Sequence, residues 1–565
     1  MATTKHHTPG FLGGDLPEYL ETAYQEGHDA DIPTNATTTQ EVKQQTPAVR
    51  PDSNISDLEK ADPNERSEAT SITSPVTGVA AAHEPEKAPA EVTEAVENPD
   101  PNIVSWDSDD DPANPVNWST GLKWGNIAVL STLTFLTPLA SSMFAPGVPQ
   151  LMREFGTDSS TLATFVVSIY VLGFAVGPLL IAPASELYGR LIVYHVTTIA
   201  FIIFTVACAL APSMSSLIVF RFLQGCWGVT PVTIGGGTIA DLMAPEKRGA
   251  AMAIWAMGPL LGPVIGPVAG GFLAEAKDWR WIFWVIAMAT GFTFILALLF
   301  LRETYAPILL ARKTKHLQKA TGNMDLRSKL DNGLSPKQLF IRAIVRPSKL
   351  MFLSPICGLM SLYMAIVYGF LYLLFTTFTF VFEEYYGFSQ STVGLVYIGL
   401  GVGNFIGLGV IGGSSDRMMN YLAKKKGGGI KPEYRLPLLM YAGPFIPVGL
   451  FIYGWTAQYH VQWAVPLLGT LFVGVGLMGC FMCINTYLVD TFTLYAASAM
   501  AANTILRSLL GGLFPLFGLS MYNSLGLGWG NSLLAFLGVA LLPIPFIFYY
   551  YGERIRTNPK WQVKL

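Results

Sequence analysis

The 565-residue chain is 51% hydrophobic and 13% charged, with a formal net charge of −3. Soluble domains carry about 25% charged residues, so this composition excludes a globular surface wetted in the ordinary way, and the excess apolar surface must face lipid. The near-neutral total conceals two signs segregated along the chain, and no nucleic-acid partner is expected.

Residues 1–110 form the first element. The stretch is rich in Glu, Asp, Pro, Thr and Ala, poor in aromatics, and its carboxylates outnumber Lys and Arg. Such a segment cannot bury enough apolar area to offset chain entropy, which predicts a disordered tail. Met1–Gly10 is polar and lacks the apolar core of a cleaved signal peptide, so the first span is expected to serve as the insertion signal. Sequons stand at Asn35, Asn54 and Asn117; the orientation below places them where they are not glycosylated.

From Trp124 onward, apolar stretches of bilayer-crossing length recur at 125–146, 162–183, 191–211, 216–240, 250–274 and 281–301, giving a first bundle over 125–301. A polar loop covers 302–350. A second set follows at 351–381, 391–413, 436–456, 463–488, 496–520 and 532–551, a bundle over 351–551 with a tail at 552–565. Only helices satisfy their own backbone in lipid over such lengths. The fold class is therefore all-α integral membrane, twelve transmembrane helices in two six-helix bundles, the arrangement of two-halved transporters. Lys and Arg crowd the gaps after spans 2, 4, 6 and 8 and the C-terminal tail, and are nearly absent from the alternate gaps. This puts both termini and the central loop in the cytoplasm.

Several strings carry candidate chemistry. Between spans 2 and 3 runs Gly177-Pro-Leu-Leu-Ile-Ala-Pro-Ala-Ser-Glu186-Leu-Tyr-Gly189-Arg190. Gly189 suits a tight turn, and Glu186 with Arg190 at a helix junction can exchange partners as two bundles rock. Gly412-Gly-Ser-Ser-Asp416-Arg417 lies after span 8, where an eroded copy would fall. Arg221, with Gln224 one turn on, sits inside span 4; a guanidinium in lipid either snorkels or faces the interior with a partner. Span 5 repeats glycine every four residues, at Gly258, Gly262, Gly266 and Gly270, with Pro263 and Pro267 between them. That makes a smooth stripe on which another helix can pack closely. The cysteine pair Cys480 and Cys483 lies inside an apolar run and reads as packing.

The span 2–3 loop resembles the signature loop of the major facilitator superfamily, Arg221-Phe-Leu-Gln224-Gly225 its R-x-x-x-G motif, and the glycine–proline helix its antiporter motif. Asp111-Pro-Ala-Asn-Pro-Val-Asn-Trp118, Glu303-Thr-Tyr-Ala-Pro307, Pro432-Glu-Tyr-Arg-Leu-Pro437 and Ala501-Ala-Asn-Thr-Ile-Leu-Arg507 make the chain similar, from about Asp107 onward, to the fungal drug:proton antiporter branch with twelve spans. The resemblance implies a proton-coupled exporter of small, largely apolar or cationic compounds at the plasma membrane, acting as a monomer. Its cofactor would be none beyond the proton gradient, and its partners the substrate, protons and the bilayer. It also implies a cavity between the halves. Candidate lining residues are Gln224, Tyr363, Tyr368, Tyr372, Asn485 and Arg507, because rings with polar tips suit flat apolar or cationic ligands.

Span 1 offers hydroxyls but no carboxylate, so the proton carrier must be sought elsewhere: Glu186, Asp241, Asp490 or His195. Asp241, on the same span as Arg221, ranks first, and Arg221, Asp241 and Asp490 form the candidate coupling set. No nucleotide-binding G-x-x-x-x-G-K-S/T occurs, and no nucleophile or metal constellation stands out, so the chain is not expected to be an enzyme. A carrier of a more polar substrate such as a polyamine or organic acid, and a non-transporting sensor, are the other readings.

Overall fold

A computed structural model describes residues 102–561, apart from 332, 334, 427 and 428. The expected tail up to residue 101 lies outside the described residues. Eleven helical runs among them are long and apolar enough to cross a membrane. Spans 1–6 are Thr120–Phe155, Thr161–Tyr188, Arg190–Ala209, Met214–Leu242, Lys247–Ala276 and Trp279–Phe300. Spans 7–10 are Pro355–Tyr386, Gln390–Lys425, Pro432–Gln458 and Ala464–Phe492.

The last run, Pro515–Thr557, is two spans rather than one. Gly526 breaks it with φ 76° and ψ 168°, a conformation open essentially to glycine. The Gln458 side chain accepts the Gly528 N–H there at 3.2 Å. The part before the break continues the helix Ala496–Leu513 and completes span 11; the part after it is span 12. Asn503 and Arg507 make Ala496–Leu513 less apolar than the other spans.

Burial separates the spans by position. In the apolar stretch of span 7, 89% of the residues are buried, whereas in spans 3 and 6 only 39% are. Span 3 exposes Ile192, Val196, Ile199 and Ile203, and span 6 exposes Met288, Phe292, Ile295 and Leu299. These stripes recur every three or four residues, as lipid-facing helix surfaces do. Spans 1 and 7 fill the middle of the molecule.

Two expected boundaries need correction. Residues 102–110 are not free tail: Ile103–Val104 pair in parallel with Arg327–Ser328, and Lys313 reaches both Asp107 (2.6 Å) and Asp111 (3.6 Å). The expected loop 302–350 holds two helices, Ala306–Thr321 and Pro336–Leu353. Ser335 and Gln338 cap the second reciprocally, a device visible as S-x-x-Q. Asn117 donates its side-chain amide to the carbonyls of Asp109 and Asp111, so the third sequon is tied into this turn. Twelve spans put the start of span 1, the central loop and the end of span 12 on one face, called here the loop face.

Candidate functional site

At the loop face, spans 2, 3 and 4 end around Arg190. Its guanidinium donates to Ser185 Oγ (2.6 Å) and, through Nε, to Asp241 Oδ2 (3.4 Å). Its Cζ lies 4.6 Å from the centre of the Tyr305 ring. The backbone beneath is held by a residue that sequence reasoning quoted only as part of a family string. Glu303, buried, accepts the N–H groups of Arg190 (2.9 Å), Leu191 (3.2 Å), Thr304 (3.1 Å) and Tyr305 (3.0 Å). The first turn of a helix leaves its N–H groups unpartnered and carries partial positive charge. A buried carboxylate after span 6 thereby caps span 3. Gly189 is required between them: its φ is +95°, and a Cβ would run into the Glu303 carboxylate. Gly177 plays a different part, letting span 2 lie against the Cys226 carbonyl and Val229 of the span 4 run.

This geometry corrects two expectations. The ion-pair partner of Arg190 is Asp241 and not Glu186, whose side chain is exposed. Asp241 in turn does not pair with Arg221, because it sits at the end of span 4 and Arg221 lies five turns deeper. His195 stands apart from all of them, half-buried between spans 3 and 6 with its ring edge toward Phe294.

The second half repeats the arrangement. Arg435, opening span 9, donates to Asp490 Oδ2 at the end of span 10 (2.5 Å) and to Ser415 Oγ (2.9 Å) and Asp416 Oδ1 (2.9 Å) near the end of span 8. Ser185–Arg190–Asp241 and Ser415–Arg435–Asp490 thus occupy matching span ends in the two halves. The eroded loop Gly412–Arg417 holds the serine of this copy and an additional acceptor, Asp416, but its own arginine, Arg417, is exposed. The working arginine starts the next span, as Arg190 starts span 3; that parallel is the signal by which it could have been found.

Arg221 does not snorkel. It is fully buried and makes four hydrogen bonds: to the carbonyls of Ala140 (2.9 Å) and Ser141 (3.2 Å) in span 1, Val166 (3.4 Å) in span 2, and to Gln224 Oε1 (3.1 Å). Its Cζ lies 4.7 Å from the Tyr170 ring centre. Carbonyl dipoles and ring faces replace a counter-ion. Gln224, expected in the cavity, is instead inside this network, donating to Thr205 Oγ1 at 2.8 Å. Tyr363 is likewise in the core of the second half, its hydroxyl beside Cys480 and Gly443.

The glycine stripe of span 5 meets span 1. A Cβ at any of the four glycines one turn apart, Gly258, Gly262, Gly266 and Gly270, would collide in turn with Phe135, Leu139, Ser142 and Met143 of span 1. Ser142 Oγ reaches the Gly262 carbonyl at 3.5 Å. Pro263 and Pro267 remain within the helix Pro245–Ala276. On the other side of span 5, Gly394 of span 8 packs against the Pro267 carbonyl.

Hydrogen bonds between the two bundles gather from the middle of the membrane toward the face opposite the loop. Ser141 and Tyr372 share one (2.9 Å), and Thr379 donates to the Ala145 carbonyl (3.5 Å). Gln150 donates to Gln390 (2.7 Å), and Glu275 accepts from the Ser391 N–H (2.7 Å). Glu383, which lay outside the expected span 7, lines the open cleft at this face with Arg153 and Glu275. On the loop side of the Ser141–Tyr372 contact lie Tyr368, Arg507, and the amide pair Asn503–Asn485 (2.8 Å).

A sequence model of the Major Facilitator Superfamily matches residues 130–515. "Efflux pump radE" of Floropilus chiversii is 59% identical over 83% of this chain and 87% of its own length. "MFS-type transporter penM" of Penicillium rubens is 60% identical over 82% and 91%. Among solved structures, the partially occluded inward-open xylose transporter XylE from E. coli superimposes with a TM-score of 0.57 at 16% identity, covering 76% of this chain and 98% of that one. That likeness concerns the fold.

Proposed function

Because the chain belongs to the Major Facilitator Superfamily, we propose that it exports small, largely apolar molecules across the plasma membrane in exchange for protons. In this reading the loop face is cytosolic, and the chain works as a monomer. The observation that carries it is the pairing of a duplicated lock on one face with a seal on the other. Arg190–Asp241 and Arg435–Asp490 each tie three span ends within one bundle, while the bonds joining the bundles lie toward the opposite face. The chain as described is therefore closed outward. Opening outward requires breaking Ser141–Tyr372, Gln150–Gln390 and Glu275–Ser391, and bringing the loop-face ends of the bundles together.

Asp241 and Asp490 are the proposed coupling carboxylates. Each has an arginine as its charged partner at the membrane boundary, so protonation removes the Coulomb attraction and frees the guanidinium to find a new acceptor. Arg221 holds span 4 to spans 1 and 2 and passes, through Ser141, to Tyr372 in the other bundle. Export rather than import is supported by the name of the radE relative. In inverted plasma-membrane vesicles, an acid-inside gradient should drive dye accumulation without ATP, and a protonophore should abolish it. Accumulation that survives the protonophore but needs ATP would exclude this mechanism.

A further inference from the structure

The carboxylates of the described spans all lie in the first or last turns of a span or outside its apolar stretch. The interiors of spans 4 and 11 instead each hold an arginine. Arg221 is fully committed to four acceptors. Arg507 is not. It stands in the interior of span 11, forms no ion pair among the described residues, and its Nε is buried without an acceptor. Its Cζ lies 5.2 Å from the Tyr368 ring centre in span 7 and 5.3 Å from that of Phe481 in span 10. A cation at this depth without a counter-ion is costly, and two ring faces compensate it only in part.

The place is as informative as the charge. Tyr368 packs at 5.1 Å on Tyr372, whose hydroxyl reaches Ser141 of the other bundle. Gly511, one turn beyond Arg507, faces both Tyr368 and Val171 of span 2. The guanidinium thus sits at the junction of the bundles, directly on the loop side of the seal. Arg507 and Tyr368 are each only partly buried, and both lie on the loop side of the Ser141–Tyr372 contact, so a molecule entering from the loop face meets them before the seal.

Resting on the export reading above, we propose that Arg507, Tyr368 and Phe481 form the recognition site for the acidic group of a flat aromatic or conjugated substrate, a carboxylate or an ionised phenol. A planar guanidinium fork matches a carboxylate bidentately. The rings offer stacking faces for the body of the ligand. A cationic substrate meets like charge here, and Arg507 has no carboxylate ion-pair partner among the described residues to offer it.

Three probes sharing one ring system test this: 9-anthracenecarboxylate, its methyl ester and 9-anthracenemethylammonium. Binding to the detergent-purified full chain is read by fluorescence anisotropy. The acid should bind about tenfold or more tightly than the ester, as expected for a charged hydrogen-bonded partner, and the ammonium probe should bind more weakly than either. Arg507→Gln should abolish the difference between acid and ester while keeping ester binding, which reports that the variant is folded. Arg507→Lys should retain part of the preference, and Tyr368→Phe, which keeps the ring, should retain it all. Equal binding of acid and ester by the natural chain, no acid binding at all, or a preference that persists in Arg507→Gln overturns the proposal. The vesicle experiment is separate: acid preference without gradient-driven accumulation would sink the export reading and leave this site standing.

Discussion

Gly189→Ala puts one methyl group at the point where three constraints meet. The residue holds φ +95° and ψ 162°, which costs a non-glycine residue about 1–3 kcal/mol. The new Cβ also collides with the Glu303 carboxylate, and that carboxylate is buried and accepts four N–H groups. If the shift breaks one of those charge-assisted bonds, about 1.5–3 kcal/mol more is lost. The sum is roughly 2.5–6 kcal/mol. In detergent, the thermal unfolding midpoint should fall by roughly 5 °C or more, and vesicle transport should fall with it. Glu303→Ala alone should also destabilise, because it uncaps span 3. The double variant is the sharper test. With the carboxylate gone the collision vanishes and only the backbone strain remains. The two losses should therefore be sub-additive by about 1–2 kcal/mol. Strict additivity, or a Gly189→Ala protein that melts and transports like the natural chain, would refute the account of this junction.

Arg221→Lys should lower stability by about 2–4 kcal/mol, since an ammonium cannot span carbonyls on two helices and Gln224 together; the unfolding midpoint and efflux of surface-matched cells measure it, and natural efflux would contradict the network. The charge exchange Arg190→Asp with Asp241→Arg should restore part of the transport that either single change removes, and Arg435→Asp with Asp490→Arg should do the same in the second half; if neither pair rescues, the ion pairs are not the working element. Burial acts to raise the Asp111 pKa, but the N–H groups of Asp107 and Ala113 together with Lys313 outweigh it and hold the carboxyl below its ordinary 3.8. A carboxyl depressed in the folded state contributes stability that is present above the unfolded value and lost as pH falls through the folded one. The segment 102–111 should therefore stay docked on the central loop above pH 3.8 and loosen below it, read as protease sensitivity before span 1; Lys313→Ala should raise the pH at which this occurs.

The spans and their pairing into two sets of six were legible in the sequence, because a helix in lipid must be apolar over a fixed length and its charges must fall outside it. The glycine stripe of span 5 was legible for a related reason: a four-residue period on one helix can mean only one face, although nothing in the string says that span 1 is what packs there. The partners of the charges were not legible. Glu186, Asp241 and Arg190 are within reach of one another by any count of span ends, and which two pair depends on how far span 4 extends and which way Arg190 leaves its helix. Glu303 looked like loop, since its role is to accept N–H groups from residues more than a hundred positions earlier. Arg221 and Arg507 look alike as single arginines in apolar runs, yet one is saturated by carbonyls of two other spans and the other is left facing two rings at the bundle junction. Sequence fixes how many hydrogen-bonding groups are buried with a residue only locally; the remainder is set by which helices stand beside it, and that is decided in three dimensions.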